Sequence, residues 1–396
     1  MTRSVLISGA GVGGPSLAYW LGRGGDRVTV VEQAPAPRTS GSAVDFRGDQ
    51  LALLARMGVL DRIRALRTGM GDQVIVDATG RRRSAYPAAL FSGELEIDRA
   101  DLARVLYDHS APHAEYVFGD RVTALDQDAD GVDVTFASGG ARRYDLVIGA
   151  DGLHSGVRTL AFGDVTRHHL GFWAASFEVP NTFGLDHSGV IHNAPGRFVG
   201  VASARDTGRV IVTLMFAAPE LDYRRGDVDG QKSLLAEHFA GVGWRVPELL
   251  AALRDASDLY FAPLSQIRLD RWSAGRVALL GDAAWCAGPG GNGTGHAILG
   301  AYTLAGELAL ADHGTAFARY EEIMRPPVTK SQKFAQGAGT FLVPPTQGRI
   351  RRRDAVYRLL SSRVMNGMFT WLASRTARTG ALTDYPLPAA APVSRA

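Results

Sequence analysis

Three short stretches set glycines and carboxylates at points where an apolar run gives way to a helical one. Gly9-Ala10-Gly11-Val12-Gly13-Gly14 is a G-x-G-x-x-G loop, and Glu32 closes the next apolar run. Gly149-Ala150-Asp151-Gly152-Leu153-His154-Ser155-Gly156-Val157-Arg158 follows Leu146-Val147-Ile148, and Gly281-Asp282-Ala283-Ala284 follows Val277 to Leu280. In the first loop Gly9 permits a tight turn, Gly11 leaves room for a pyrophosphate, and Gly14 lets helix and strand pack closely. The helix start adds free amides and partial positive charge for phosphates. A carboxylate at Glu32 accepts from ribose hydroxyls and repels a 2′-phosphate, which argues against NADP in this particular site. NAD and FAD both satisfy this loop.

The elements that must position these groups follow from periodicity. Val5-Leu6-Ile7 and Val28 to Val31 read as buried parallel strands around a helix from Ser16 to Gly22, a β-α-β unit of the kind the motif requires. Leu51 to Met57 and Asp101 to Tyr107 read as helices. Tyr116 to Phe136 alternates like antiparallel strands around an Asp130-Gly131 turn. Phe172 to Val179, Gly189 to His192, Phe198 to Ser203 and Val210 to Phe216 read as a mixed or antiparallel sheet. Helices are expected at Gln231 to Phe239, Pro247 to Arg254 and Gly295 to Asp312. Beyond the Pro344-Pro345 break, Ile350 to Leu372 has helical apolar spacing.

The expected fold class is therefore α/β with α+β elements. A Rossmann-like dinucleotide domain is interrupted by a sheet domain and followed by C-terminal helices. The expected boundaries are 1–165 for the first part of the dinucleotide domain, with some sheet-domain strands around 72–98. The sheet domain spans 166–265, the completion of the dinucleotide domain 266–335, and a helical segment 336–396.

The composition is that of an ordinary globular protein, 46% hydrophobic and 21% charged over 396 residues. A formal net charge of +3 gives no strong field for nucleic acid or a membrane surface. Lys232, Lys330 and Lys333 are the only lysines, so the basic residues are nearly all arginine. The single cysteine, Cys286, rules out a disulfide framework within the chain. The N-terminus lacks the pattern of a secretion signal and no run of 18 apolar residues occurs, so a cytoplasmic protein, monomer or homodimer, is expected. His168-His169 and Cys286 make no metal site.

The order and spacing of GAGVGG, GADGLHSGVR and GDAA followed by PGGNG resemble the FAD-dependent aromatic hydroxylases. These are the single-component, p-hydroxybenzoate-hydroxylase-like flavin monooxygenases, which include a tetracycline-inactivating branch. The resemblance spans residues 3 to 335. It implies that Gly9, Gly11 and Gly14 surround the FAD pyrophosphate and that Glu32 takes the adenosine ribose. It implies further that Arg99 reaches the phosphate or ribityl chain, that Asp151 touches FAD and the reductant path, and that Asp282 binds the ribityl or pyrophosphate. Gly291, Asn292, Gly293, Thr294 and Gly295 would line the isoalloxazine. The family usually reads P-x-x-G-x-G after GDAA. Here Pro289-Gly290-Gly291-Asn292-Gly293 is one residue shorter, with Asn292 for the usual Gln and His296 where an apolar residue is common.

The implied activity is an FAD-dependent monooxygenase. NAD(P)H acts as a transient co-substrate, and a flavin C4a-hydroperoxide hydroxylates an aromatic or polycyclic small molecule. Natural-product tailoring or antibiotic modification is the implied setting. Trp173, Phe177, Phe198, Met215, Phe216, Phe261 and Pro289 are candidate substrate-wall residues, about half of which strand alternation must send to the core. Candidate catalytic groups are His192 and His296 as bases and Arg47, beside Asp45, as an anion partner. The tetracycline-inactivating branch carries a histidine on the strand near Ile211, which this chain lacks. Three alternatives remain open: an FAD enzyme of this fold catalysing a non-oxygenating cyclisation or isomerisation, an NAD-dependent dehydrogenase, and a binding module using the basic run Arg351-Arg352-Arg353. For that run, a solvated helix covering the flavin domain is the plainer expectation.

Overall fold

A computed structural model describes residues 2–38, 41, 43–86, 93–203, 207–290, 292–360 and 382–387. The apolar runs form a six-stranded sheet in the order Ser273–Ala274, Val277–Leu279, Leu146–Gly149, Ser4–Ser8, Arg27–Glu32 and Glu115–Phe118. All its pairings are parallel except that of Ser273–Ala274 at one edge. Val5, Leu6, Ile7, Val147, Ile148 and Val277 to Leu279 are wholly buried, as continuous apolar strands covered on both faces must be. The helices Gly13–Arg23 and Gly293–Leu310 pack together on this sheet. Glu115–Phe118 corrects one expectation. It is a parallel edge strand beside Arg27–Glu32, with Thr29 donating to Glu115 at 3.1 Å, and not part of the antiparallel set. Alternation reports which faces differ, not which strand is the partner. Only Val122–Gln127, Val132–Phe136 and Ala141–Tyr144 form the antiparallel sheet there.

The second domain is a seven-stranded sheet in the order Tyr260–Ile267, Arg167–Pro180, Arg209–Ala217, Arg197–Ser203, Ser188–Ala194, Gln73–Val76 and Arg82–Tyr86. It is antiparallel but for the parallel pairing of Ser188–Ala194 with Gln73–Val76, so it is mixed, as expected. The strands expected around 72–98 divide. Two join this sheet, and Leu95–Asp98 pairs with Ala43–Phe46 in a separate ribbon. The helices Val228–Phe239 and Val246–Asp255 cover one face.

A long helix, His313–Leu342, crosses the expected boundary at 335 without a break. Pro326 and Pro327 lie inside it and remove two rungs of its hydrogen-bond ladder. The next helix, Gln347–Leu360, lies against Arg82–Tyr86 and Ser188–Ala194 of the seven-stranded sheet, and not over the six-stranded one. Arg353 is buried there and donates to Asn193 at 2.8 Å. The continuation to Leu372 lies outside the described residues. Among the described residues no helix is long and apolar enough to cross a membrane.

The first turn depends on close approach at Gly14, where a methyl group would lie 1.9 Å from the Gly9 carbonyl oxygen. Gly14→Ala is therefore expected to cost about 1–3 kcal/mol through overpacking. Its denaturant midpoint should fall accordingly, and an unchanged midpoint would contradict this packing.

Candidate functional site

The strand Ser4–Ser8 ends in a turn held by the Gly9 amide, which donates to the Val31 carbonyl at 2.7 Å. Gly9 sits at φ +109°, and a side chain there would strike the Ala150 carbonyl and Asp151 Cα. The first loop thus rests directly on the second. Gly11 faces open space. The helix Gly13–Arg23 begins with neither a capping side chain nor an acidic residue in its first turn, so its amides are free to meet an anion. Glu32 Oε2 accepts from the Ala10 amide at 2.8 Å and Oε1 from the Ala34 amide at 2.9 Å. The carboxylate braces the glycine loop and retains lone pairs for hydroxyl donors.

In the second loop Asp151 accepts from the Ser155 hydroxyl and from the Val157 amide at 3.1 Å. Burial pushes its pKa up, against these hydrogen bonds, which favour the ionised form. Ser155 caps the helix Gly156–Phe162 by accepting from the Arg158 amide at 2.9 Å. Arg158, only 4% exposed, donates to the Leu153 carbonyl at 2.7 Å and to the Ala283 carbonyl at 2.9 Å. It ties the second loop to the third. Sequence reasoning quoted this residue without giving it a task. Its one signal in the sequence is a permanent charge closing a glycine-rich strand-end motif.

The third loop runs from Gly281 into the short helix Asp282–Trp285. Asp282 Oδ1 lies 3.5 Å from where a Gly293 side chain would begin. Asn292 adopts a left-handed conformation (φ +54°), and the helix Gly293–Leu310 starts with no capping side chain. Thr294 and Gly295 occupy its first turn, and the Gln50 side chain lies on Gly295. Pro289 leads into Gly290, which faces Phe334 and Ala338 of the long helix. Gly291 lies outside the described residues.

Arg99 opens the helix Arg99–Ser110. Arg38 lies near it, its pKa lowered first by burial and then by the charge of Arg99. Neither guanidinium makes an ion pair among the described residues. Arg47 pairs with Asp45 at 2.8 Å, each about one-third exposed, and its amide donates to Gln50 Oε1 at 3.2 Å. This loop borders Gly295 through Gln50. Two uncapped helix starts, unpaired guanidiniums and carboxylates at strand ends are the donor and acceptor set a dinucleotide needs. The arrangement fits FAD.

Strand alternation sorts the aromatic candidates. Trp173, Phe177, Phe216 and Phe261 face the outer side and pack with Leu235, Phe239, Leu249 and Leu253. Those four are core. Phe198 and Met215 face the opposite side with Ile75, Phe172 and Ile191. Leu170, packed on the same cluster, reaches Gly288 in the third loop. This face therefore adjoins the third loop, and Phe172, which the sequence reading did not single out, lies on it with Val343 and Tyr357.

Each candidate histidine makes a structural contact. His192 lies on the outer face beside Trp244, its Nδ1 3.2 Å from the Val76 carbonyl, because Ile191 takes the inner position. His296 is buried between helices, its Nε2 2.6 Å from the Ser331 hydroxyl. Burial lowers its pKa to about 4.

The sequence matches the FAD binding domain family over residues 2–320. It is 44% identical over 331 residues to an uncharacterized protein of Mycobacterium tuberculosis, covering 80% of this chain and 88% of the relative. It is 36% identical over 351 residues to a flavin-dependent monooxygenase of an unknown prokaryotic organism, covering 84% and 88%. Among solved structures it superposes on the tetracycline destructase Tet(55) with a TM-score of 0.84, at 33% identity, covering 97% of this chain and 99% of the other.

His296 also sets a pH response. Its folded pKa of about 4 lies below the ordinary 6.5, so the unfolded chain binds the proton first on acidification. Stability should fall as pH drops from 6.5 towards 4, and His296→Gln should flatten part of that slope in urea titrations. An unchanged acid slope would show that the imidazole is not held neutral.

Proposed function

The chain belongs to the FAD-binding-domain family of flavin-dependent monooxygenases, and from that premise we propose that it uses NAD(P)H and O2 to hydroxylate an aromatic or polycyclic small molecule. The observation that carries this reading is the physical continuity of the three strand-end loops. Gly9 rests on Asp151, Arg158 grips Ala283, and Asp282 abuts Gly293. One extended dinucleotide spans that edge.

FAD, when bound and reduced by NAD(P)H, supplies the electrons and the oxygen-activating ring. The amides at the start of Gly13–Arg23, with Arg99, take the pyrophosphate. Glu32 accepts from the adenosine ribose and Asp282 from the ribityl chain. The uncapped start of Gly293–Leu310, from Asn292 through Gly295, would lend partial positive charge to the flavin ring and stabilise negative charge developing on it. Phe172, Phe198 and Met215 hold a flat apolar ring and keep water from it. Natural-product tailoring or antibiotic modification is the setting of this proposal, and the likeness to the tetracycline destructase Tet(55) supports it. The shortened Pro289–Gly295 loop favours one competing reading, a non-oxygenating cyclisation on the same fold.

The test is oxygen uptake by the FAD-loaded protein, with NADH or NADPH and a panel of phenolic and polycyclic ligands. Ligand-stimulated coenzyme oxidation with oxygen uptake and a hydroxylated product is expected. Product formation with no oxygen consumed would establish the competing reading. Phe198→Ala should raise KM about tenfold or more, the scale of a lost apolar contact. Phe177→Leu, on the outer face, should leave KM unchanged.

A further inference from the structure

The segment Leu382–Leu387 docks on the flavin domain through contacts that the cofactor site does not use. Gly306 lies inside the buried helix Gly293–Leu310, and a methyl group there would fall 2.2 Å from Tyr385 Cγ. The tyrosine ring fills the notch that this glycine leaves. The Tyr385 phenol donates to Glu307 Oε1 at 2.7 Å. Glu307 is 5% exposed, and its nearest cation among the described residues is Arg319 at 3.9 Å. Tyr302 donates its hydroxyl to the Thr383 carbonyl at 2.9 Å and accepts from the Tyr385 amide at 3.4 Å. Arg56 donates to the Tyr302 hydroxyl and pairs with Asp384 at 2.9 Å.

Each feature is costly alone. A glycine inside a helix forfeits propensity that alanine would supply. A carboxylate buried without donors is penalised. When Tyr385 is seated its ring fills the notch and its phenol satisfies Glu307 Oε1, one of the two carboxylate oxygens. The grip involves two helices, Arg56 from Asp49–Met57 and Tyr302 with Glu307 from Gly293–Leu310. At their other ends the same helices meet again, where Gln50 lies on Gly295 beside Asp282. We propose that Leu382–Leu387 is a latch and that Tyr385 is a positioning residue, fixing the spacing of two helices whose N-terminal ends flank the isoalloxazine site. The latch goes beyond the functional reading, and its positioning effect rests on that reading.

Docking is tested on full-length apoprotein with Gly306→Ala, Tyr385→Ala and the double variant. In the wild-type background the added methyl collides with the ring, so Gly306→Ala should lower the denaturant midpoint and speed amide exchange at 382–387. In the Tyr385→Ala background the same methyl should raise the midpoint, because only its helix preference remains. A stabilising Gly306→Ala in the wild-type background would overturn the latch. Positioning is tested with Tyr385→Phe, which keeps the ring and removes the phenol. FAD should bind at least about fivefold more weakly, its visible band should shift, and amides at 293–297 should exchange faster with and without FAD. Faster exchange confined to 382–387, with FAD affinity and spectrum intact, would overturn the positioning role. If wild-type protein failed to bind FAD, the functional reading would fall while the sign reversal at Gly306 still decided the latch.

Discussion

A buried guanidinium must spend its donors on acceptors inside the protein, and Arg158 spends them on the carbonyls of Leu153 and Ala283. That choice joins two loops more than a hundred residues apart in sequence. Desolvation lowers its pKa and nearby Asp151 opposes this, so charge balance inside the fold depends on the second loop keeping its carboxylate. Removing either partner would leave an uncompensated polar group out of reach of water. Strand pairing between Leu146–Gly149 and Val277–Leu279 sets the second and third loops side by side, and this bond fixes the two turns to each other.

Much of this was legible in the residues. The glycines of the first loop, Glu32 and the strand-ending positions of Asp151 and Asp282 stand where the motif spacing places them. The mixed sheet and most helices follow period and apolar content. What stayed hidden was partnership. Glu115–Phe118 alternates like its neighbours, yet pairs in parallel with Arg27–Glu32. Arg158 needed a partner from residue 283, and no local pattern encodes that. Gly306 reads as a defect in a helix until Tyr385 is seen lying on it.

The seven-stranded sheet teaches the same distinction at the scale of one strand. Met215 and Phe216 are adjacent and both apolar, but one packs with Phe172 and Phe198 and the other with the covering helices. The period of two forces that division, and only the position of the covering helices decides which face is which. The histidines obey it too. His192 points to the outer face by its register, and His296 meets Ser331 of the long helix. A polar residue near a motif in sequence is thus no guide to where its ring points.

The proline pair at Pro326-Pro327 has one more consequence. Before it, Tyr320 and Met324 are embedded in the flavin domain, and after it Gly339 receives the edge of Phe172 from the sheet domain. A single rod serves as axle for both bodies, so its two halves must keep a fixed angular phase. One inserted residue beyond the proline pair would rotate the far half by about 100° and swing the Gly339 groove off Phe172. The tally of residues between those contacts is a mechanical dimension of the protein, as binding as any bond length.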